Sequence, residues 1–164
     1  MASWIKGKRD EHSVAYYIYR TKMTINGVAI YAEDCGHRAF RRVRQIRNAA
    51  AHNNCIINDL NPTYDINGKL KWGEPLYITR FLQKAGINNH AMRKKLSNRR
   101  FSQIVHLLFA YNAIVTSSNS RNMRMQELKN LVGHRMIEHS DYFHSNQLLD
   151  STYKLFAKLV NSLT

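Results

Sequence analysis

From Gly36 onward the apolar positions recur every three or four residues, which is the spacing of helices that bury one face. Phe40, Val43, Ile46 and Ala50 predict a first long helix that ends around Asn53-Asn54, residues that favour termini and turns. Apolar spacing returns after Pro75, from Leu76 to Lys84, and a short basic segment runs from Asn88 to Leu96. Phe101, Ile104, Val105, Leu108 and Ile114 predict a longer, mostly buried helix, followed by a polar break from Thr116 to Ser120. Two further helices are expected, over Met123 to His139 and Ser145 to Leu163. The last carries Leu148, Leu149, Tyr153, Phe156 and Leu159 on one face. Tyr111, Tyr153 and Phe156 lie at helical spacing with Leu and Ile and read as core.

Two stretches depart from this rhythm. Ser13 to Ile25 mixes Tyr, Ile, Val and Thr, fits helix or strand, and leads into a turn at Asn26-Gly27. Asn58 to Glu74 holds Asn61-Pro62, Asn67-Gly68 and Trp72-Gly73, and reads as a surface loop or a short hairpin. With two prolines and seven glycines in the chain, long helices can run uninterrupted. No repeat, linker or low-complexity segment divides it. The pattern predicts one all-α domain over residues 1–164, a helical bundle with an irregular loop or short hairpin after its first long helix.

At 164 residues the chain is long enough for one ordinary domain with a real core. Its 44 % apolar content argues against wholesale disorder. Charge changes the picture. Twenty-five Lys and Arg face eleven Asp and Glu, a net +14, which attracts a polyanion, with a phosphate backbone the obvious candidate. An anionic membrane would require a basic amphipathic helix or a long apolar run. The longest strongly apolar stretch, Ile104 to Val115, contains His106 and Asn112 and is about twelve residues, too short to span a bilayer. Met1-Ala2-Ser3-Trp4-Ile5-Lys6 lacks the apolar core of a secretory signal. Cys35 and Cys55 form no Cys-x-x-Cys pair, so a reduced, cytoplasmic protein is expected, without membrane association.

The candidate chemistry sits on the first long helix, in Arg47-Asn48-Ala49-Ala50-Ala51-His52. Arg stays charged at any working pH, and neutral His exchanges protons near pH 7, so an RNA-cleaving site without metal could be built from these side chains. Spacing alone is weak: 14 Arg and 8 His give about 0.7 Arg-x4-His pairs by chance. Asn after the Arg lowers this to roughly 0.07, since Asn occupies 16 positions. The helix is also one-sided. Arg38, Arg41, Arg42, Arg44 and Arg47 follow one another, and no acidic residue stands between Asp34 and Asp59.

Helical geometry then divides the motif. Arg44, Asn48 and His52 fall at i, i+4 and i+8, close to one stripe. Arg47 is about 140° around the helix from His52, so the two cannot easily converge on one phosphate from a straight helix. Either the helix distorts near His52, or two copies face each other across a two-fold axis. The second arrangement gives a groove with two His and two Arg. One imidazole would take the proton of the ribose 2′-hydroxyl and the other would protonate the leaving 5′-oxygen. The Arg pair would stabilise charge on the phosphorus oxygens, and Asn48 would orient His52 or hold the backbone phosphate. The bland alternative is a solvated basic face, with His52 a helix-end residue favouring the dipole.

The string Ile46-Arg47-Asn48-Ala49-Ala50-Ala51-His52-Asn53-Asn54 resembles the Arg-x4–6-His signature of the HEPN superfamily, and more narrowly the Arg-Asn-x-x-Ala-His-His/Asn string of abortive-infection (Abi) proteins. The resemblance is tight over about 41–61 and looser to about 115. It implies a small, usually dimeric helical bundle and a metal-independent endoribonuclease of a toxin or phage-defence system, with no cofactor and no metal ligands. Arg47 and His52 then match the catalytic pair and Asn48 the polar residue after the Arg. The chain would correspond to a C-terminal part, or a reduced form, of longer Abi proteins. Asn53 and Asn54 stand where HEPN toxins paired with a nucleotidyltransferase antitoxin carry a tyrosine after the His.

Arg41 and Arg44 on the motif helix, with Lys94, Lys95, Arg99 and Arg100 further along, are the candidate RNA-binding residues. Arg93 belongs to this second cluster, and Phe101 beside it fits either a base-stacking aromatic or the core. Arg121, Arg124, Lys129 and Arg135 extend the charge: from Arg80 to Arg135 eleven basic residues face the single Glu127. The cluster His134, Glu138, His139, Asp141 and His144 looks metal-like, but its nearest His pairs are five apart and no His-Glu-x-x-His occurs. Three functions therefore compete. The first is a dimeric endoribonuclease. The second is a non-catalytic helical RNA-binding module acting with a guide or antitoxin RNA. The third is a DNA-binding regulator using Asn88–Phe101 as turn plus recognition helix.

Overall fold

The computed structural model describes residues 23–25, 28–30, 35–52, 60–70, 75–143 and 145–163. Met23–Ile25 (β1) and Val28–Ile30 (β2) pair antiparallel with Ile25 opposite Val28, so the end of the ambiguous Ser13 to Ile25 stretch is strand. The remainder of that stretch, and the turn read at Asn26-Gly27, lie outside the described residues. The architecture is otherwise helical. Its long elements are α1 (Cys35–Ala51), α2 (Leu76–Lys84), α4 (Arg99–Ile114), α5 (Ser118–Asn130) and α7 (Gln147–Ser162). Shorter pieces are α3 (His90–Lys94), a 3-10 turn at Lys95–Ser97, a π turn at Leu131–Arg135, α6 (Met136–Glu138) and a 3-10 turn at Ser140–Tyr142.

The expected loop or hairpin after the first helix is a hairpin where it is described. Tyr64 bridges Leu70, and Gly68 takes φ +72 in the turn between them. The Asp65 carboxylate accepts from the backbone N–H groups of Asn67 and Lys69, both at 2.9 Å, an Asx turn that specifies the reversal locally.

α2 starts on Pro75, whose fixed φ of −65 suits a helix entry. It ends in a Schellman cap. Gly86 N–H donates to Gln83 O at 3.0 Å and Ile87 N–H to Leu82 O at 2.8 Å, while Gly86 sits at φ +72. Ile87 and Leu82 are both buried, the apolar contact that such a cap brings together.

α4 lies at the centre. Phe101, Ser102, Gln103, Val105, His106, Leu108, Phe109 and Ala110 are all buried, more than one face of the helix, while Arg100, Ile104, Leu107 and Tyr111 lie on its more open side. Asn98 caps it, accepting from Phe101 N at 2.8 Å, and its own amide donates to Asn61 O at 3.0 Å, tying the hairpin segment to the helix start. One hydrophobic cluster takes Ala39 from α1, Ile78 and Phe81 from α2, Val105 and Phe109 from α4, Met125 from α5, and Leu155 and Leu159 from α7.

Three element details differ from expectation. On α1 the buried positions are Ala39, Ile46 and Ala49, with Phe40 and Val43 half-buried and Ala50 exposed, because the contact with α4 is rotated toward the 39–46–49 row. On α7, Thr152, Leu155, Leu159 and Val160 face the core, whereas Leu148 is exposed and Leu149, Tyr153 and Phe156 are half-buried. The helix expected at Met123 begins at Ser118, because the Ser117 hydroxyl accepts from Ser120 N and lets the polar break form a first turn. That helix is also not continuous to His139: the π turn interrupts it at Gly133.

Candidate nucleic-acid interface

α1 places the motif at its C-terminal end. Arg38, Arg41, Arg44, Arg47, Asn48 and His52 are all exposed, and Ala39, Ile46 and Ala49 bury the opposite face. The helix stays regular to its last turn: His52 N–H donates to Asn48 O at 3.1 Å, the ordinary α-helical bond. Arg41, Arg44, Asn48 and His52 therefore share one stripe, and Arg47 projects about 140° away from His52. The helix does not distort at His52. Within one chain Arg47 and His52 do not meet.

The second basic cluster separates on folding. Arg99 is exposed at the start of α4, and with Arg38 and Arg41 it contributes to the field at Arg42. Half-buried Arg42 has its pKa lowered, first by desolvation and then by these three cations, against an opposing contribution from Tyr77. Arg99 thus lies near enough to the α1 cations to act on Arg42 together with them. Lys94 is exposed, but Lys95 turns inward. Its ammonium donates to Ser151 Oγ at 2.7 Å and Thr152 Oγ1 at 3.4 Å, and burial lowers its pKa. Arg100 donates to Gln103 Oε1 at 3.2 Å and borders a small apolar cleft with Phe101, Ile104, Tyr153 and Phe156.

Phe101 is 3 % exposed and belongs to the core, so it cannot stack on a base. Asn88–Phe101 does not form one turn plus one helix: α3 has five residues, a 3-10 turn follows at Lys95–Ser97, and only the first residues of α4 fall within the stretch. In the metal-like cluster, His139 and Tyr142 stack with ring centroids 5.4 Å apart. Among the described residues no three His, Cys, Asp or Glu side chains gather as a metal site would need, and His144 lies outside them.

A polar group that the sequence did not announce lies beneath α1. His106 is 2 % exposed, and its Nδ1 is 2.6 Å from Ser102 O, an atom that can only accept. Nδ1 therefore carries the proton, and Nε2 accepts from the Tyr77 hydroxyl at 3.0 Å. Burial drives the His106 pKa down to about 4, with the Ser102 carbonyl opposing and Arg42 adding to the shift. The only sequence signal for this group was a histidine inside an apolar run. Its partner Tyr77 is 29 residues away.

Among the described residues no helix is long and apolar enough to cross a membrane. Comparison with protein-family models, curated proteins and solved structures finds no match to this chain.

Proposed function

We propose that the chain is a HEPN-type, metal-independent endoribonuclease of a phage-defence or toxin system, acting in the cytoplasm as a homodimer. One observation carries the reading. Arg47 and His52 are both exposed at the end of an undistorted cationic helix, yet diverge by about 140°, as halves of a composite groove would. In that groove the His52 imidazole of one protomer accepts the 2′-hydroxyl proton as the 2′-oxygen attacks phosphorus. The P–O5′ bond breaks, and the second His52, in its imidazolium form, protonates the departing oxygen. The products are a 2′,3′-cyclic phosphate and a 5′-hydroxyl. The two Arg47 guanidinium groups stabilise the charge on the nonbridging oxygens. Asn48, one turn before His52, orients the imidazole or holds the adjacent phosphate.

The test is purified wild type, Arg47→Ala and His52→Ala on end-labelled RNA, with and without chelator. Each substitution should abolish cleavage while the circular-dichroism spectrum and melting temperature stay unchanged. Chelator should have no effect, and activity per chain should fall on dilution through the dimer dissociation range. Cleavage of an all-DNA substrate refutes the 2′-hydroxyl mechanism.

A second reading, a non-catalytic RNA-binding module working with a guide or antitoxin RNA, draws on the nearness of Arg99 to the α1 cations, a field broader than a cleavage site needs. It predicts steeply salt-dependent binding, no cleavage, and little change in His52→Ala.

A further inference from the structure

The α1–α4 contact contains a directional chain of amides. Gln103 is 0 % exposed, and its Oε1 accepts from Arg100 Nη1 at 3.2 Å. A guanidinium has donors only, so this contact fixes which end of the Gln103 amide is oxygen. The Gln103 Nε2 must then be the donor to Gln45, at 3.0 Å, and Gln45 must present its Oε1 inward. The Gln45 amide can satisfy this in one orientation only, with its NH2 directed away from Gln103. That NH2 has two donors and no partner among the described residues. Gln45 is half-exposed and lies four residues after Arg41, three before Asn48 and seven before His52, within the same stripe.

We propose that Gln45 is a further substrate-positioning residue. Its outward NH2, held in orientation by Arg100 and Gln103, donates to a nonbridging phosphate oxygen of RNA lying along Arg41, Asn48 and His52. This rests on the reading that the α1 face binds RNA; it does not require cleavage. The relay removes the alternative amide orientation, in which an oxygen would face the phosphate and repel it. Because the donor is neutral, it adds affinity without displacing a counterion, unlike the arginines around it.

The test uses the full chain and a short fluorescent single-stranded RNA with 2′-O-methyl sugars, which binds but cannot undergo 2′-attack. Binding is measured by anisotropy over a range of salt. Gln45→Met should weaken binding about fivefold and leave the slope of log affinity against log salt unchanged. Arg41→Met should lower that slope by about 0.7. Gln103→Met should weaken binding about twofold, since a freed amide is correctly oriented half the time, and should have no further effect in Gln45→Met. Melting temperatures check that each variant is folded, and Gln45→Met, at a half-exposed position, decides the matter if Gln103→Met is not. Unchanged affinity in Gln45→Met overturns the proposal, as does an equal loss from Gln103→Met in both backgrounds. Abolition of cleavage by His52→Ala alongside unchanged binding by Gln45→Met overturns the Gln45 role alone. Failure of wild type to bind this RNA overturns both.

Discussion

Acid should unfold this protein in part through His106. In the folded chain its pKa is lowered from 6.5 to about 4, chiefly by burial, with the Ser102 carbonyl opposing the shift and the charge of Arg42 adding to it. The unfolded chain therefore binds this proton more readily than the folded one. Stability from neutral His106 is fully present above pH 6.5 and is lost as pH falls toward the folded value. The slope approaches about 1.4 kcal/mol per pH unit, and the loss reaches about 3 kcal/mol by pH 4. Carboxylates titrate in the same range, so the measurement is a difference: urea unfolding free energy against pH for wild type and for His106→Gln, whose side chain does not titrate. The two curves should converge by about 3 kcal/mol between pH 7 and pH 4. Parallel curves would refute the assignment of a buried, neutral imidazole.

Tyr77→Phe removes the donor to His106 Nε2 and should destabilise by about 1–3 kcal/mol, a fall in melting temperature of about 2–4 °C per kcal/mol. Phe109 is 1 % exposed and packs edge-on against Phe81 with centroids 5.6 Å apart, so Phe109→Ala should lower the unfolding free energy by about 3–5 kcal/mol. Gly86→Ala meets open space but keeps a φ of +72, and the backbone alone should make it less stable by about 1 kcal/mol, read as a shifted urea midpoint at constant m. Lys94→Met should reduce the salt dependence of RNA binding by about 0.7, whereas Lys95→Met, which loses an inward-turned ammonium, should leave that slope unchanged.

The helical part of this fold is legible in the sequence where burial is two-sided or the ends are chemically marked. α4 could be read from its apolar density and α2 from Pro75 and the return of apolar spacing. Both signals are local, and neither needs a partner to be recognised. What escaped is relational. The extent of α1 was readable, but its rotation against α4 was not. It depends on which row of small residues, Ala39 and Ala49, best admits the neighbouring helix. Lys94 and Lys95 are adjacent and alike in sequence, and only the arrival of Ser151 and Thr152 from α7 separates them. The divergence of Arg47 and His52 was fully readable, because it follows from helical pitch alone. The Arg100–Gln103–Gln45 chain was not, since it joins two helices 58 residues apart.

Arg38, Arg41 and Arg44 follow one another at three-residue steps, so like charges crowd that face of α1, and no acid stands in its first turn. Much of what holds it helical is its other side, packed on α4. An anion laid along the cationic row would relieve that repulsion, coupling occupancy to the folding equilibrium as any ligand selective for the native state does. The melting temperature of this protein should then act as a gauge of what it has bound, rising with polyanion concentration whether or not a bond is cut. Purified free of nucleic acid at low ionic strength, the chain would be at its least stable. Polyanion binding and folding would in this respect be one thermodynamic system.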